Sequence, residues 1–292
     1  APPWRDPMAH PGDPARLSRR RFLAAGLALT ATGLASGAMG SGLQQAHHPV
    51  THHDALPLPT LQAPLRIAFL TDLHYGPWIH APDVASWVED ALTPQPDLIL
   101  LGGDLIDRHA TQADLPELLD VLAVLHAPLG TYAVWGNHDH AALPTPALRR
   151  FGQDLAHIGI HVLDNHGLAL RPDLYLAGVD DLVNGTPNLP AALRDAPAGV
   201  TTLLLAHNPD LLPTIARHPV DLTLAGHTHG GQVVLPLLGP PFTSSIHGRR
   251  FLAGWIANPT RAYVSRGLGV SYLPLRWNCP PELLILDLHP TR

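Results

Sequence analysis

The chain has no lysine: all 18 of its basic residues are arginine. That excludes a phosphate-loop lysine, a Schiff-base lysine and a kinase-type strand lysine. Cysteine is nearly absent too, with Cys279 standing alone in Asn278-Cys279-Pro280-Pro281. One thiol makes no intramolecular disulfide and no cysteine-based zinc site, and Cys279 reads as a buried structural thiol rather than a nucleophile. Charge is sparse, at 14% of residues against 46% hydrophobic, the balance of a globular chain and not of a disordered one. From Leu65 onward, 13 arginines stand against 21 acidic residues, a net charge of about −8. Such a surface lacks the basic patch that nucleic acid requires and suits a site that gathers cations. The 292 residues are enough for one large domain with a sizeable core.

The remaining basic residues gather near the start. Ser18-Arg19-Arg20-Arg21-Phe22-Leu23 precedes an apolar, Gly- and Ala-rich stretch that runs to about Leu43. A charged segment followed by an apolar one is the layout of an export signal, and paired arginines before Phe-Leu resemble the bacterial twin-arginine signal. Residues 1–43 are read as that signal or as a retained anchor. The apolar stretch approaches the ~20 residues needed to span a bilayer, although its five glycines weaken it as a span. The expected location is the periplasm or cell wall, or the outer face of the cytoplasmic membrane. The twin-arginine export machinery is the partner implied. Residues 44–64 read as a Pro- and His-rich linker, with His47, His48, His52 and His53 on a solvated tether. The folded domain is expected over 65–292.

From Leu65 the pattern alternates between strand and helix. Apolar runs at Leu65–Leu70, Asp97–Leu101, Thr131–Trp135, Thr201–Ala206 and Asp221–Ala225 suit strands buried on both faces. Helical periodicity falls at about Pro82–Leu92 and Ala113–His126. The C-terminal part reads as β-rich, at Gln232–Leu235, Ala262–Ser265 and Glu282–Leu288. Each of the five runs ends in residues of metal-ligand type: Asp72-x-His74, Gly102-Gly103-Asp104, Gly136-Asn137-His138-Asp139, His207, and Gly226-His227-Thr228-His229-Gly230. Open α/β sheets place ligands at the carboxyl ends of strands. Asp72 and His74, two apart on an extended strand, would share one face and reach one ion. A carboxylate such as Asp104 can bridge two cations, Asn137 offers a neutral oxygen, and the histidines offer imidazoles. Mixed N and O donors suit Mn, Fe, Zn, Co or Ni better than an all-oxygen cage for Mg or Ca.

Taken in order, these blocks resemble the five motifs of the calcineurin-like metallophosphoesterase superfamily, over about Leu65 to Leu288. The resemblance implies a four-layer α/β/β/α sandwich with a dinuclear metal site at the carboxyl ends of the strands. One divalent ion would be held by Asp72, His74 and His229, a second by Asn137, His207 and His227, with Asp104 between them. It implies hydrolysis of a phosphate ester by water activated between the ions. His138 would face the substrate and assist the leaving group, and Asp139 would orient His138. Gly230-Gly231-Gln232-Val233, Val264-Ser265-Arg266-Gly267-Leu268-Gly269 and Pro281-Glu282-Leu283-Leu284 resemble an exported or membrane-associated bacterial subgroup. Its members include cell-wall phosphoesterases and UDP-2,3-diacylglucosamine pyrophosphatases. The substrate implied is a phosphodiester or lipid-linked phosphate at the cell envelope. A lipid A-type pyrophosphate hydrolase is the alternative, and a metal-binding scaffold without catalysis is a third reading that the intact His138 argues against.

Several residues sit near these motifs without belonging to them. Arg266 could face a phosphate or pair with a buried carboxylate. Arg249 and Arg250, after the apolar stretch Leu235–Phe242, are candidate substrate contacts on what otherwise reads as a solvated loop. Asp180-Asp181 reads as a solvated loop. His109 and His140 are candidates to line a cleft.

Overall fold

The computed structural model of the chain describes residues 41–291. The signal or anchor segment lies outside the described residues, apart from its last three. Among the described residues, no helix is long and apolar enough to cross a membrane.

Strands β1 (Val50–Leu58), β2 (Leu65–Leu70), β3 (Leu98–Leu101), β4 (Thr131–Ala133), β5 (Ile160–Val162) and β12 (Glu282–Pro290) form one sheet, in the order β1-β12-β2-β3-β4-β5. β2, β3, β4 and β5 run parallel, while β12 is antiparallel to β2 and parallel to β1. The second sheet has the order β10-β11-β9-β8-β7-β6, from β6 (His166–Arg171), β7 (Leu174–Gly178), β8 (Thr201–Leu205), β9 (Leu222–Ala225), β10 (Gly254–Ile256) and β11 (Ala262–Val264). Its core of β7, β8, β9 and β11 is parallel, with β6 and β10 antiparallel at the edges.

Side-chain alternation along the strands builds three cores from single apolar runs. Ile67, Phe69, Leu98 and Leu100 face inward and meet Leu203, Leu205, Leu222 and Leu224 of the other sheet. Ala68, Leu70, Ile99 and Leu101 face outward, against Val84, Trp87, Val88 and Ala91 of helix α1 (Ala81–Leu92). The spacing of those four helical residues gives one buried stripe. Leu118 and Leu122 of helix α2 (Leu115–Leu122) and Phe151 and Leu155 of α4 (Thr145–His157) complete that layer. Beyond the second sheet, Leu204 and Ala206 pack on α5 (Leu189–Ala192) and α6 (Leu212–Ile215). The result is helix, sheet, sheet, helix, the four-layer sandwich the motifs imply.

Three sequence readings need correction. Residues 44–64 are not a free linker, because Val50–Leu58 pairs along its full length with β12. Its side chains alternate between exposed and half-buried, as on an edge strand with one wet face, and β12 supplies the pairing that the local sequence does not announce. The helix expected over Ala113–His126 is shorter, since Leu115 opens it and Ala123 closes it. Gln232–Leu235 is no strand, and Val233 and Leu235 make only isolated bridges.

Candidate metal centre

The seven expected ligands converge where the carboxyl ends of the two parallel cores meet. Asp72 and His74 follow β2, but not on extended backbone: their φ angles are +55° and +50°. The extended-strand argument for their shared face is therefore replaced by a left-handed turn at each ligand, a conformation uncommon for non-glycine residues. Asp104 (φ +51°), His227 (+70°) and His229 (+51°) share it. Such backbone at a site marks positions held by their surroundings for function.

The carboxylates are tightly held. Asp72 accepts from the Thr71 hydroxyl at 2.8 Å and from the His227 amide at 3.0 Å. Asp104 Oδ1 accepts from the His138 amide at 2.7 Å. That leaves Asp104 Oδ2 between two imidazoles, 3.5 Å from His74 Nε2 and 3.2 Å from His207 Nε2. Two motif glycines follow from this crowding. A Cβ on Gly136 would collide with the Asp104 carboxylate, and one on Gly226 with that of Asp72.

The expected ligand atoms fall into two groups, and His74, Asp104 and His138 form a third cluster that overlaps both. Those of Asp72, His74 and His229 lie within 4.8 Å of one another, as do those of Asp104, His207 and His227. In the first, His74 Nε2 and His229 Nε2 are 3.0 Å apart and His229 Nε2 is 3.4 Å from Asp72. In the second, Asn137 Oδ1 is 2.7 Å from His227 Nδ1. His207 Nδ1 donates to the Gly102 carbonyl at 2.8 Å, which turns Nε2 toward Asp104 and fixes the tautomer. His207 Nε2 is buried with no hydrogen-bond partner. A buried polar atom without a partner is costly, and here it points at a place where a cation would satisfy it. This donor set fits divalent transition metals.

Without an ion, the electrostatics of the two histidine groups run in opposite directions. Burial pushes the Asp104 carboxyl up, but the His207, His74 and His138 rings outweigh it and hold the acid well below its ordinary value. His207 is held well above its own, Asp104 overcoming the opposite pull of burial. Burial, His74 and Arg276 push His229 well below its ordinary value, leaving the neutral imidazole that a metal requires.

His138 is buried beside the ligands, its ring 4.5 Å from that of His74, centre to centre. Asp139 does not orient it. The Asp139 carboxylate accepts from the Gly136 amide (2.8 Å) and the Ile106 amide (3.0 Å), capping helix α3 (Asn137–Ala142). Burial and the neighbouring Asp104 push it to about 7. The neighbour of His138 is Asp107, whose Oδ2 lies 3.4 Å from Nδ1 and 3.6 Å from His74 Nδ1. The Arg108 amide also donates to His138 Nδ1, at 3.2 Å.

A cleft of about 620 Å³ opens over Asp104, Asn137, His138, His227 and His229. Its walls include Arg108, Asn184, Ser271 and Tyr272, with the Arg108 guanidinium 5.4 Å over the Tyr272 ring. The three candidate substrate arginines do not line it. Arg266 sits 3.6 Å from the buried Glu282, Arg249 donates to the Leu238 and Pro240 carbonyls, and Arg250 stacks over Phe251. His109 and His140 do not line it either. His140 pairs with Asp180 at 2.6 Å.

Asp180 and Asp181 are buried, not solvated. They accept from the amides of Thr186, Val183 and Asn184, and this turn delivers the Asn184 side chain to the Asn137 carbonyl at 2.8 Å. Cys279 is buried, donating from Sγ to the His229 carbonyl at 3.2 Å. Sequence reasoning missed Asp107, Arg108 and Arg276. For the first two a signal existed: an Asp-Arg pair three and four residues after Asp104, ending an otherwise apolar Leu-Ile step.

The fold and this centre are those of a metal-dependent phosphoester hydrolase. A model of the calcineurin-like phosphoesterase family matches residues 65–231, and the chain belongs to that family. It is 36% identical over 276 residues to phosphodiesterase YaeI of Escherichia coli (strain K12), spanning 93% of this chain and 99% of that protein. It is 30% identical over 289 residues to the uncharacterized metallophosphoesterase YkuE of Bacillus subtilis (strain 168), spanning 94% and 99%. Among solved structures, the crystal structure of TT1561 of Thermus thermophilus aligns with a TM-score of 0.49 at 15% identity, over 71% of this chain and 91% of that one.

Proposed function

We propose that the protein is a two-metal phosphoesterase of the cell envelope, acting on a phosphodiester or a lipid-linked phosphate. The observation that carries the two-metal reading is Asp104 Oδ2, lying between His74 and His207 with a ligand group on either side. Asp72, His74 and His229 would hold one ion, Asn137, His207 and His227 the other, and Asp104 both. When bound, Mn, Fe, Zn, Co or Ni would supply Lewis acidity and lower the pKa of a water.

The chain itself supplies the proton for the leaving group. When the ring is protonated, His138 Nδ1 faces Asp107 at 3.4 Å as a donor, and its Nε2 lies 3.5 Å from Ser271 Oγ on the cleft side. Burial would lower its pKa, but Asp107 and Asp104 together raise it above the ordinary histidine value. A ring whose surroundings favour its protonated form is fitted to donate a proton to a departing alkoxide. Arg108 and Asn184, in the cleft wall, are placed to contact the phosphate. The envelope assignment is supported by the twin-arginine-like segment Ser18–Leu23.

The test is metal content together with a substrate panel. Purified protein should carry about two transition-metal ions per chain and hydrolyse bis(p-nitrophenyl) phosphate. A panel of mono-, di- and pyrophosphate esters, lipid-linked ones included, separates the diesterase reading from a UDP-2,3-diacylglucosamine-type pyrophosphatase. Absence of both metal and activity across the five metals would overturn the proposal.

A further inference from the structure

The cleft mouth carries an unusual share of exposed apolar surface. Of the thirteen exposed large hydrophobic residues among those described, Val183, Leu237, Leu238, Phe242, Ile246 and Tyr272 lie on three loops at this one place. Val183, Phe242 and Tyr272 line the cleft itself, and Leu237, Leu238 and Ile246 extend the same loop outward. Leu237 is fully exposed, at 106%, and sits at φ +66°. A leucine is an unfavourable choice there on two counts: a solvated side chain and left-handed backbone.

The loop is nevertheless built to present these side chains. Leu235 and Gly239 exchange backbone hydrogen bonds across the turn. Arg249 ties down the Leu238 and Pro240 carbonyls. Asp210 anchors the far side through the Ser245 hydroxyl and the Ile246 amide.

The one carboxylate against this loop, Asp210, is taken up by Ser245 and Ile246, and the exposed charges the loop itself carries are cationic. Between Asp221 and Glu282 the sequence has no acidic residue; of the arginines there, Arg249 and Arg250 are exposed on this loop, Arg266 pairs with Glu282, and Arg276 is buried. The rest of the folded part is acidic. Apolar side chains at a rim with exposed arginines behind them are the features by which proteins lie on anionic lipid surfaces. Contiguous exposed apolar patches mark interaction sites generally, and the adjacent exposed pair Arg249 and Arg250 favours an anionic bilayer over a neutral partner.

We propose that this rim docks on a bilayer with anionic headgroups. Leu237, Leu238, Phe242 and Ile246 enter the acyl boundary, Arg249 and Arg250 sit at headgroup phosphates, and the cleft opens onto the membrane plane. The substrate is then a phosphoester carried by a membrane lipid. This rests on the phosphoesterase reading of the site.

The test uses the full metal-loaded chain and vesicles of phosphatidylethanolamine with about one quarter phosphatidylglycerol. Wild type should sediment with them, and the triple variant Leu237→Ser/Leu238→Ser/Ile246→Ser should bind at least about tenfold more weakly. The variant should still hydrolyse soluble bis(p-nitrophenyl) phosphate at the wild-type rate, since none of the three residues lines the cleft. Because Cys279 is buried, a polarity-sensitive fluorophore can be attached selectively through Leu238→Cys, and its emission should shift blue on vesicles. Unchanged emission, or a triple variant that binds like wild type because residues 18–43 carry the binding, overturns the proposal. So does a concentration-dependent dimer abolished by the triple variant, which assigns the rim to a second copy. In each case intact hydrolysis of the soluble diester leaves the phosphoesterase reading standing, and its absence from wild type removes that reading instead.

Discussion

Replacing Arg276 with methionine should cost both stability and metal. The side chain is fully buried, and among the described residues no carboxylate lies within ion-pair distance of it. Its guanidinium instead gathers backbone carbonyls: Gly269 at 2.6 and 3.0 Å, Arg266 at 2.8 Å, Gly267 at 3.0 Å and Cys279 at 3.4 Å. Methionine fills much of the volume but leaves the Arg266, Gly269 and Cys279 carbonyls without this donor, while Gly267 keeps the Glu282 amide. Each stranded buried acceptor costs about 1–3 kcal/mol, while removing a buried charge returns part of that. The net loss should be about 3–5 kcal/mol, a fall in Tm of at least about 6 °C for a chain of this size. Arg276 Nη2 also lies 3.2 Å from His229 Nδ1, so metal should be lost first from the group containing His229. Arg276→Lys should recover little, since an ammonium cannot reproduce the planar fork. Thermal denaturation and metal analysis of the same preparations are the assay. A Tm drop below about 2 °C with unchanged metal would refute the reasoning.

His138→Ala should keep its metal and lose about 10²- to 10⁴-fold in turnover, measured as kcat alongside metal content. Gly226→Ala forces a methyl group into the Asp72 carboxylate, so metal should fall sharply while circular dichroism stays native. Asp107→Asn and Asp139→Ala separate two carboxylates that adjoin His138 in space and in sequence. Asp107 is among the groups that raise the His138 pKa, and a proton donor fails as pH rises through that value. Asp107→Asn should therefore move the alkaline limb of kcat to lower pH. Asp139→Ala should leave that limb in place and lower Tm, at about 1–3 kcal/mol for each of the two amides left without an acceptor. The His140–Asp180 pair gives a stability signature. Its hydrogen bond raises the His140 pKa, and Asp180 is held below its ordinary value, burial opposing and His140 prevailing. The raised histidine contributes fully below about 6.5, and its contribution is lost as pH rises through the folded value. The depressed carboxylate contributes above about 3.8, and its contribution is lost as pH falls. The Tm gap between wild type and His140→Ala, in chelator-treated protein, should be widest near pH 5.5 and shrink toward pH 9.

What the sequence reveals depends on which partner decides each residue. β2, β3, β4, β8 and β9 are legible because strands buried on both faces must be apolar throughout, and their sequences say so without help. β1 is not, because Val50-Thr-His-His-Asp-Ala-Leu-Pro-Leu58 is an edge strand whose pairing comes from β12, at the other end of the chain. The candidate ligands are legible for a chemical reason: no packing demand puts Asp, His and Asn at five successive strand ends, so an ion is the economical explanation. The spacing of Asp72 and His74 points to one ion for the wrong geometric reason, since positive φ and not strand alternation brings them together. Arg276 is illegible because its meaning lies in what faces it. Leu275-Arg276-Trp277 looks like any solvated arginine until the chain around Gly267 and Gly269 turns its carbonyls toward it. It follows that ligand substitutions should remove chemistry with little effect on the fold, whereas Arg276, joining backbone to ligand, should affect both. A protein that kept full stability after losing Arg276 would mean that the 266–279 segment is held by its own turns, and that His229 owes its position to β9 alone.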